Sequence, residues 1–303
     1  MFYGSITALI TPFRKGEVDW PALEKMIEWQ IGQGTNGLVA CGTTAESPTL
    51  NEKEHHAIVE RMIGTVKGRI PIIAGTGTNS TASTIEKTLH AQSVGADAAL
   101  IVAPYYNKPT QEGLFAHYRA IHDATNIPII LYNIPGRCAV DISIDTVCRL
   151  AELPRIIGIK DATADLNRPT LLRQHLGPDF CQMSGEDGTA LPFLAAGGHG
   201  CISVLSNIAP GDCANLQKFW RNGKVAEAQS IRDRLMSLAK VLFCETSPSP
   251  VKYAASLLGL CTDEMRLPLV PASATCRALV DQAMVNADLI SLSGNPVERV
   301  SFG

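Results

Sequence analysis

Residues 98–133 read AALIVAPYYNKPTQEGLFAHYRAIHDATNIPIILYN, and this stretch decides the fold. Ala98–Ala103 and Pro128–Asn133 are short, β-branched, apolar runs. They are nearly continuous rather than alternating, as strands covered on both faces of a parallel sheet should be. Between them, Thr110–Ala124 carries Leu114, Tyr118 and Ile121 at three- and four-residue intervals and opens on a threonine able to cap a helix. The stretch is therefore a strand–helix–strand unit. Outward from it the same pattern recurs, with strands at Ser5–Thr11, Gly37–Cys41, Pro71–Gly75, Ile156–Lys160, Phe180–Ser184 and Cys201–Leu205. Helical segments alternate with them at Pro21–Gln33, Glu52–Val66, Ser83–Val94, Ser143–Leu150, Pro169–Leu176, Thr189–Ala196 and Gly211–Arg221.

Eight strand-plus-helix units in strict alternation predict an α/β fold, a TIM (β/α)8 barrel, over residues 1–223; an open doubly wound sheet would have fewer strands and a Gly-rich first crossover. From 224 to 303 the strands stop, and Lys224–Phe243, Pro250–Leu258 and Ala272–Asn286 form a C-terminal helical appendix, with Leu289–Gly303 expected to fray. The 303 residues are 46% hydrophobic and 18% charged, which excludes a disordered chain. A net charge of −3 with interspersed signs leaves no basic face for nucleic-acid phosphates or anionic lipid. Nine cysteines with no CxxC pair read as reduced core residues. No secretory leader or membrane-length apolar run is visible, so a cytoplasmic location is expected.

In such a barrel the reacting groups stand where strands end. The second strand ends in Cys41-Gly42-Thr43-Thr44-Ala45-Glu46-Ser47, where two hydroxyls and backbone N–H groups could cradle a carboxylate or simply cap a helix. The sixth ends in Ile159-Lys160-Asp161. A lysine at the end of an apolar strand, unless paired, lowers its pKa and becomes a nucleophile toward carbonyls, giving a Schiff base. The competing reading pairs it with Asp161, Glu186 or Asp187. The fourth and fifth strands end in Tyr105-Tyr106-Asn107 and Tyr132-Asn133-Ile134-Pro135-Gly136-Arg137. A Tyr hydroxyl bonded to Thr43 could move protons at Lys160, and Arg137 could hold a carboxylate in bidentate fashion.

Gly42-Thr43-Thr44-Ala45-Glu46, Tyr132-Asn133-Ile134-Pro135-Gly136-Arg137 and Gly158-Ile159-Lys160-Asp161-Ala162-Thr163 together resemble the signatures of the dihydrodipicolinate synthase/N-acetylneuraminate lyase family. The similarity runs from Gly4 to about residue 271. The resemblance implies a lyase without metal or organic cofactor, in which pyruvate forms a Schiff base with Lys160 and its enamine attacks L-aspartate-4-semialdehyde, in lysine and diaminopimelate biosynthesis. It further implies Tyr132 as proton donor and acceptor, linked through Thr43 to Tyr106 of a neighbouring subunit. Thr44 would hold the pyruvate carboxylate and Arg137 that of the semialdehyde, with Gly185 and Ile202 lining the keto-acid pocket. A homotetramer, a dimer of dimers, is the implied assembly.

Two departures bear on this expectation. Ala45 stands where the family usually has Gly, which could shift the loop, since Ala prefers negative φ. The resemblance also implies a lysine feedback site in which His55, Asn79 and Tyr105 match, but Glu52 replaces a frequent His and Ser83 a Glu, so weak or absent lysine inhibition is expected. Gly75-Thr76-Gly77-Thr78-Asn79-Ser80 lacks the third Gly of a dinucleotide fingerprint, and the His117/His122 spacing does not suit a metal. Asn79-Ser80-Thr81 matches a glycosylation acceptor but is expected only to shape a loop. Two competing functions remain at this stage: a sibling aldolase acting on N-acetylneuraminate or a 2-keto-3-deoxy acid, against which Arg137 speaks, and a non-catalytic keto-acid-binding module.

Overall fold

The computed structural model describes residues 1–297. Eight strands form a closed parallel barrel: β1 (Gly4–Ala8), β2 (Gly37–Ala40), β3 (Ile72–Gly75), β4 (Ala98–Val102), β5 (Ile129–Asn133), β6 (Ile156–Asp161), β7 (Cys181–Ser184) and β8 (Gly200–Ser203). Each pairs with its neighbour in sequence, and β1 closes the ring on β8 through Gly4↔Gly200 and Ile6↔Ile202. Alternation along each strand divides the apolar side chains between two compartments. Ile6, Val39, Ile73, Leu100, Ile130 and Met183 fill the interior. Ile101, Leu131 and Ile159 point outward beneath Leu114, Tyr118, Ile121 and Leu172 of the surrounding helices. Both faces are covered, which is why the strands read as unbroken apolar runs.

Side-chain caps set the helix starts, so expected and observed boundaries differ by a residue or two. Thr110 accepts from Gly113 N and thereby stands just outside Gln111–Ala124. Asn51 and Glu54 form a capping box on Glu52–Val66, and Ser80 caps Thr81–Ser93. The expected strand Cys201–Leu205 stops at Ser203, because the N–H groups of Val204 and Leu205 turn to Asp187 Oδ2, each at 2.9 Å, and a 3-10 turn follows. The strand expected over Ser5–Thr11 ends at Ala8, and Ile10 N donates to Asn207 Oδ1 at 3.0 Å. A hairpin of Phe13–Arg14 with Glu17–Val18 and a single helical turn at Pro135–Cys138 were not expected from the sequence.

Beyond the barrel run the helices Val225–Val241, Ser249–Leu257 and Ala274–Asn286. Their Leu235, Leu238, Val251, Val280 and Met284 share one apolar cluster with Leu23, Ile27, Leu38 and Ile58 of the first barrel units. In the stretch 289–297, Leu289 and Ile290 are buried, Ile290 bridges Pro296, and Val297 N donates to Leu289 O at 3.1 Å. The rest of the stretch expected to fray, 298–303, lies outside the described residues. All nine cysteines are free thiols, but only six are buried; Cys148 and Cys261 are half-buried and Cys244 is exposed, which corrects the expectation of core residues throughout. Among the described residues no helix is long and apolar enough to cross a membrane.

Candidate active site

The register of β6 aims Lys160. Ile129 pairs with Ile156 but Ile130 with Gly158, so the chain slips one residue at Ile157. Gly158 is needed there, since a Cβ would stand 2.3 Å from the Cys181 carbonyl oxygen. Lys160 then pairs with Tyr132 on one side and Met183 on the other, both interior residues. Its side chain is 5% exposed, and Nζ lies 4.2 Å from the centroid of the Tyr132 ring.

None of the three carboxylates that could neutralise Lys160 forms an ion pair with it. Asp161, next along the strand, faces outward, where Oδ2 accepts from Arg168 Nε at 2.7 Å and Oδ1 from Thr163 Oγ1 at 2.6 Å. Asp187 is occupied by the Val204 and Leu205 amides. Glu186 has no ion pair among the described residues; burial, and secondarily Asp187, push its carboxyl up, while Lys160 acts in the opposite direction. Glycine is required beside the lysine stem, because a Cβ on Gly185 would come 3.1 Å from Lys160 Cε and 2.7 Å from Ala162 Cβ. Gly185 N donates to Asp161 O at 2.6 Å, which holds that strand end against the lysine. Ile202 is fully buried in the barrel interior on β8.

Thr43 and Thr44 lie in a 3-10 turn, Thr43–Ala45, directly after β2. Their hydroxyls, and that of Tyr132, have no partner among the described residues, so the expected Tyr132–Thr43 hydrogen bond is not formed. Thr43 instead lines an open cavity of about 310 Å³ with Val102, Tyr105, Arg137, His55 and Lys87. The concern over Ala45 dissolves in the backbone: the left-handed residues of this loop are Cys41 (φ 53°) and Glu46 (φ 56°), and Ala45 is not among the positive-φ positions. Its carbonyl is fixed by Thr11 Oγ1 at 2.8 Å.

Arg137 rides on the Pro135–Cys138 turn after β5, exposed and without an ion pair among the described residues. Nη2 donates to the Ser247 carbonyl at 3.2 Å, which orients the guanidinium and leaves donors for a ligand. Tyr106 is 89% exposed and held at φ 73°, a left-handed conformation unusual for an aromatic residue. It therefore touches nothing that would complete a relay within this chain. His55 is buried, and its Nε2 donates to Gly75 O at 2.9 Å; burial holds the imidazole down to about 4. Tyr105 shares the cavity wall with His55, whereas Asn79 sits in the loop before Thr81–Ser93 and accepts Asn107 Nδ2 at 2.8 Å through its carbonyl. Among the described residues no group of three His, Cys, Asp or Glu side chains is placed to hold a metal ion.

One set of residues at this end of the barrel escaped the sequence reading. Glu46, immediately after the threonine turn, receives Lys252 Nζ at 2.7 Å on Oε1 and Arg266 N at 3.0 Å on Oε2. Both side chains of the Glu46–Lys252 pair are 0% exposed. Lys252 Nζ also donates to Glu264 O at 2.6 Å and lies 4.2 Å from the Phe13 ring centroid, so hairpin, threonine loop and C-terminal helices meet here. The available signal was a lysine within the apolar helical run Val251-Lys252-Tyr253-Ala254-Ala255.

A family model described as the dihydrodipicolinate synthetase family matches residues 1–287. The 4-hydroxy-tetrahydrodipicolinate synthase of Rhodospirillum centenum is 57% identical over 291 residues, 96% of this chain and 100% of that one. The crystal structure of the chloride-inhibited dihydrodipicolinate synthase from Acinetobacter baumannii, complexed with pyruvate, is similar with a TM-score of 0.94 at 46% identity, covering 96% of this chain and 100% of that one. A monomeric dihydrodipicolinate synthase variant is similar with a TM-score of 0.93 at 41% identity, covering 95% and 98%.

Proposed function

From the premise that the chain belongs to the dihydrodipicolinate synthetase family, we propose that Lys160 is the amine on which its pyruvate-dependent lyase reaction runs. The activity is 4-hydroxy-tetrahydrodipicolinate synthesis, a step of lysine biosynthesis. One observation supports the lysine assignment above the rest: Nζ lies at the end of β6 over the Tyr132 ring, with no ion pair among the described residues and with Gly185 packed against its stem. Nζ attacks the keto carbon of pyruvate, and loss of water from the carbinolamine leaves an imine. Loss of a methyl proton gives the enamine, whose carbon attacks the aldehyde of L-aspartate-4-semialdehyde. That addition turns the aldehyde into a hydroxyl, and the semialdehyde's own α-amino group then cyclises onto the imine carbon and expels the lysine.

Tyr132 is the group placed to move protons at the carbinolamine. Thr44 receives the pyruvate carboxylate, and Gly185 and Ile202 bound the space around it. Arg137 receives the carboxylate of the semialdehyde. The exposure and backbone conformation of Tyr106 support a relay completed between subunits, in which Tyr106 of one protomer reaches Thr43 of the next within a homotetramer. Protomers kept apart are then poorly active, which size-exclusion with activity measured across fractions checks. At the cavity of His55 and Tyr105, the lack of a carboxylate at Ser83 supports weak lysine inhibition. Supplying pyruvate with each aldehyde in turn tests the substrate: turnover is expected with aspartate semialdehyde, and a preference for a sugar aldehyde would move the chain to a sibling aldolase activity.

A further inference from the structure

Away from the barrel mouth, two thiols stand together. Cys244 lies in the bend after the helix Val225–Val241, and Cys276 in the first turn of Ala274–Asn286. The Cys244 thiol donates to Cys276 Sγ at 3.3 Å across a sequence separation of 32. Cys244 is exposed and Cys276 is buried. A thiol that small molecules can reach, backed by a second thiol shielded from them, is the arrangement of an attacking and a resolving sulfur. Burial, and then the hydrogen bond with Cys244, push the Cys276 thiol up to about 12, which leaves the first attack to Cys244.

We propose that Cys244 and Cys276 form a thiol–disulfide exchange site that takes low-molecular-weight disulfides and closes to an intramolecular disulfide, separate from the chemistry at Lys160. In the first step Cys244 sulfur attacks one sulfur of the small disulfide RSSR, whose S–S bond breaks; the departing RS⁻ takes the thiol proton and leaves as RSH. In the second, Cys276 sulfur attacks Cys244 in the mixed disulfide, and a second RSH departs. The two cysteines lose two electrons and two protons, and RSSR is reduced to two thiols. The sulfurs must approach by about 1.3 Å to reach covalent length. Cys244 lies outside any helix, so its backbone can supply that movement.

The test treats the full-length protein with oxidised glutathione and follows thiol titration under denaturing conditions, intact mass and peptide mapping. The proposal expects loss of two titratable thiols, a mass lowered by two hydrogens, a peptide joining Cys244 to Cys276, and reversal by dithiothreitol. Cys276→Ser is expected to stop at one glutathione on Cys244, and Cys244→Ser to leave Cys276 reduced. A parent protein that stays reduced, stops at the mixed disulfide, or links other cysteines overturns the proposal. The parent's peptide map decides this even if a variant folds poorly.

Discussion

Two lysines are buried at the same end of this molecule, and their surroundings are opposite. Lys252 has every donor direction met by Glu46, the Glu264 carbonyl and the Phe13 ring, and Arg266 completes the carboxylate's own set. Lys160 has an aromatic ring, a neighbouring glycine and no ion pair among the described residues. A buried ammonium whose attraction to a partner is matched by hydrogen bonds is a structural element. A buried amine that lies against an aromatic ring and forms no ion pair among the described residues is available for chemistry. The difference lies in where the carboxylates are spent: Asp161 on Arg168 and Asp187 on two backbone amides.

The strongest way to break this contrast is to remove each lysine in turn. Lys160→Ala is expected to lower turnover by roughly four orders of magnitude or more, while its urea unfolding midpoint stays close to that of the parent. Lys252→Met is expected to do the reverse in kind, costing about 3–5 kcal/mol of stability because Glu46 is left buried and unpaired. Adding Glu46→Gln to that variant is expected to recover most of the loss in urea unfolding. A double variant no more stable than the single one would mean that the pair is not what organises this region.

Arg137→Ala sharpens the contrast from the ligand side. Loss of a charge-assisted contact worth about 1.5–3 kcal/mol predicts a 10- to 100-fold fall in kcat/KM for the semialdehyde, with pyruvate trapping at Lys160 unchanged. The smallest expected effect is acid sensitivity of the paired region. Arg266 hydrogen-bonds the Glu54 carboxylate and holds its pKa below the usual range. The folded pKa is thus the lower one, so this contribution is present above the unfolded value near 4.5 and is lost as pH falls through the folded one. Urea titrations between pH 6 and pH 3 should show the decline, and Glu54→Gln should flatten it.

Most of the barrel was legible because a strand covered on both faces leaves an unbroken apolar run, and a helix that follows leaves a cap. Thr110 and Asn51 mark their helices in sequence as they do in space. The Phe13–Arg14 and Glu17–Val18 strands were not legible, since two residues show no period. At the mouth, the position of Lys160 at the end of β6 followed from the strand alone. That Lys160 forms no ion pair did not, because Asp161 adjoins it, Glu186 and Asp187 follow the neighbouring strand, and only the fold shows whether any of them reaches it. The Glu46–Lys252 pair spans 206 positions, and no local pattern announces it. The worry about Ala45 failed for a related reason: the strain of that loop is carried by Cys41 and Glu46, which sequence could not apportion.

The most direct measurement is borohydride reduction in the presence of pyruvate followed by peptide mapping. The account predicts one pyruvate-derived group on the Lys160 peptide and none on that of Lys252. An adduct on Lys252 or on surface lysines alone, or no adduct while the enzyme turns over, would contradict it.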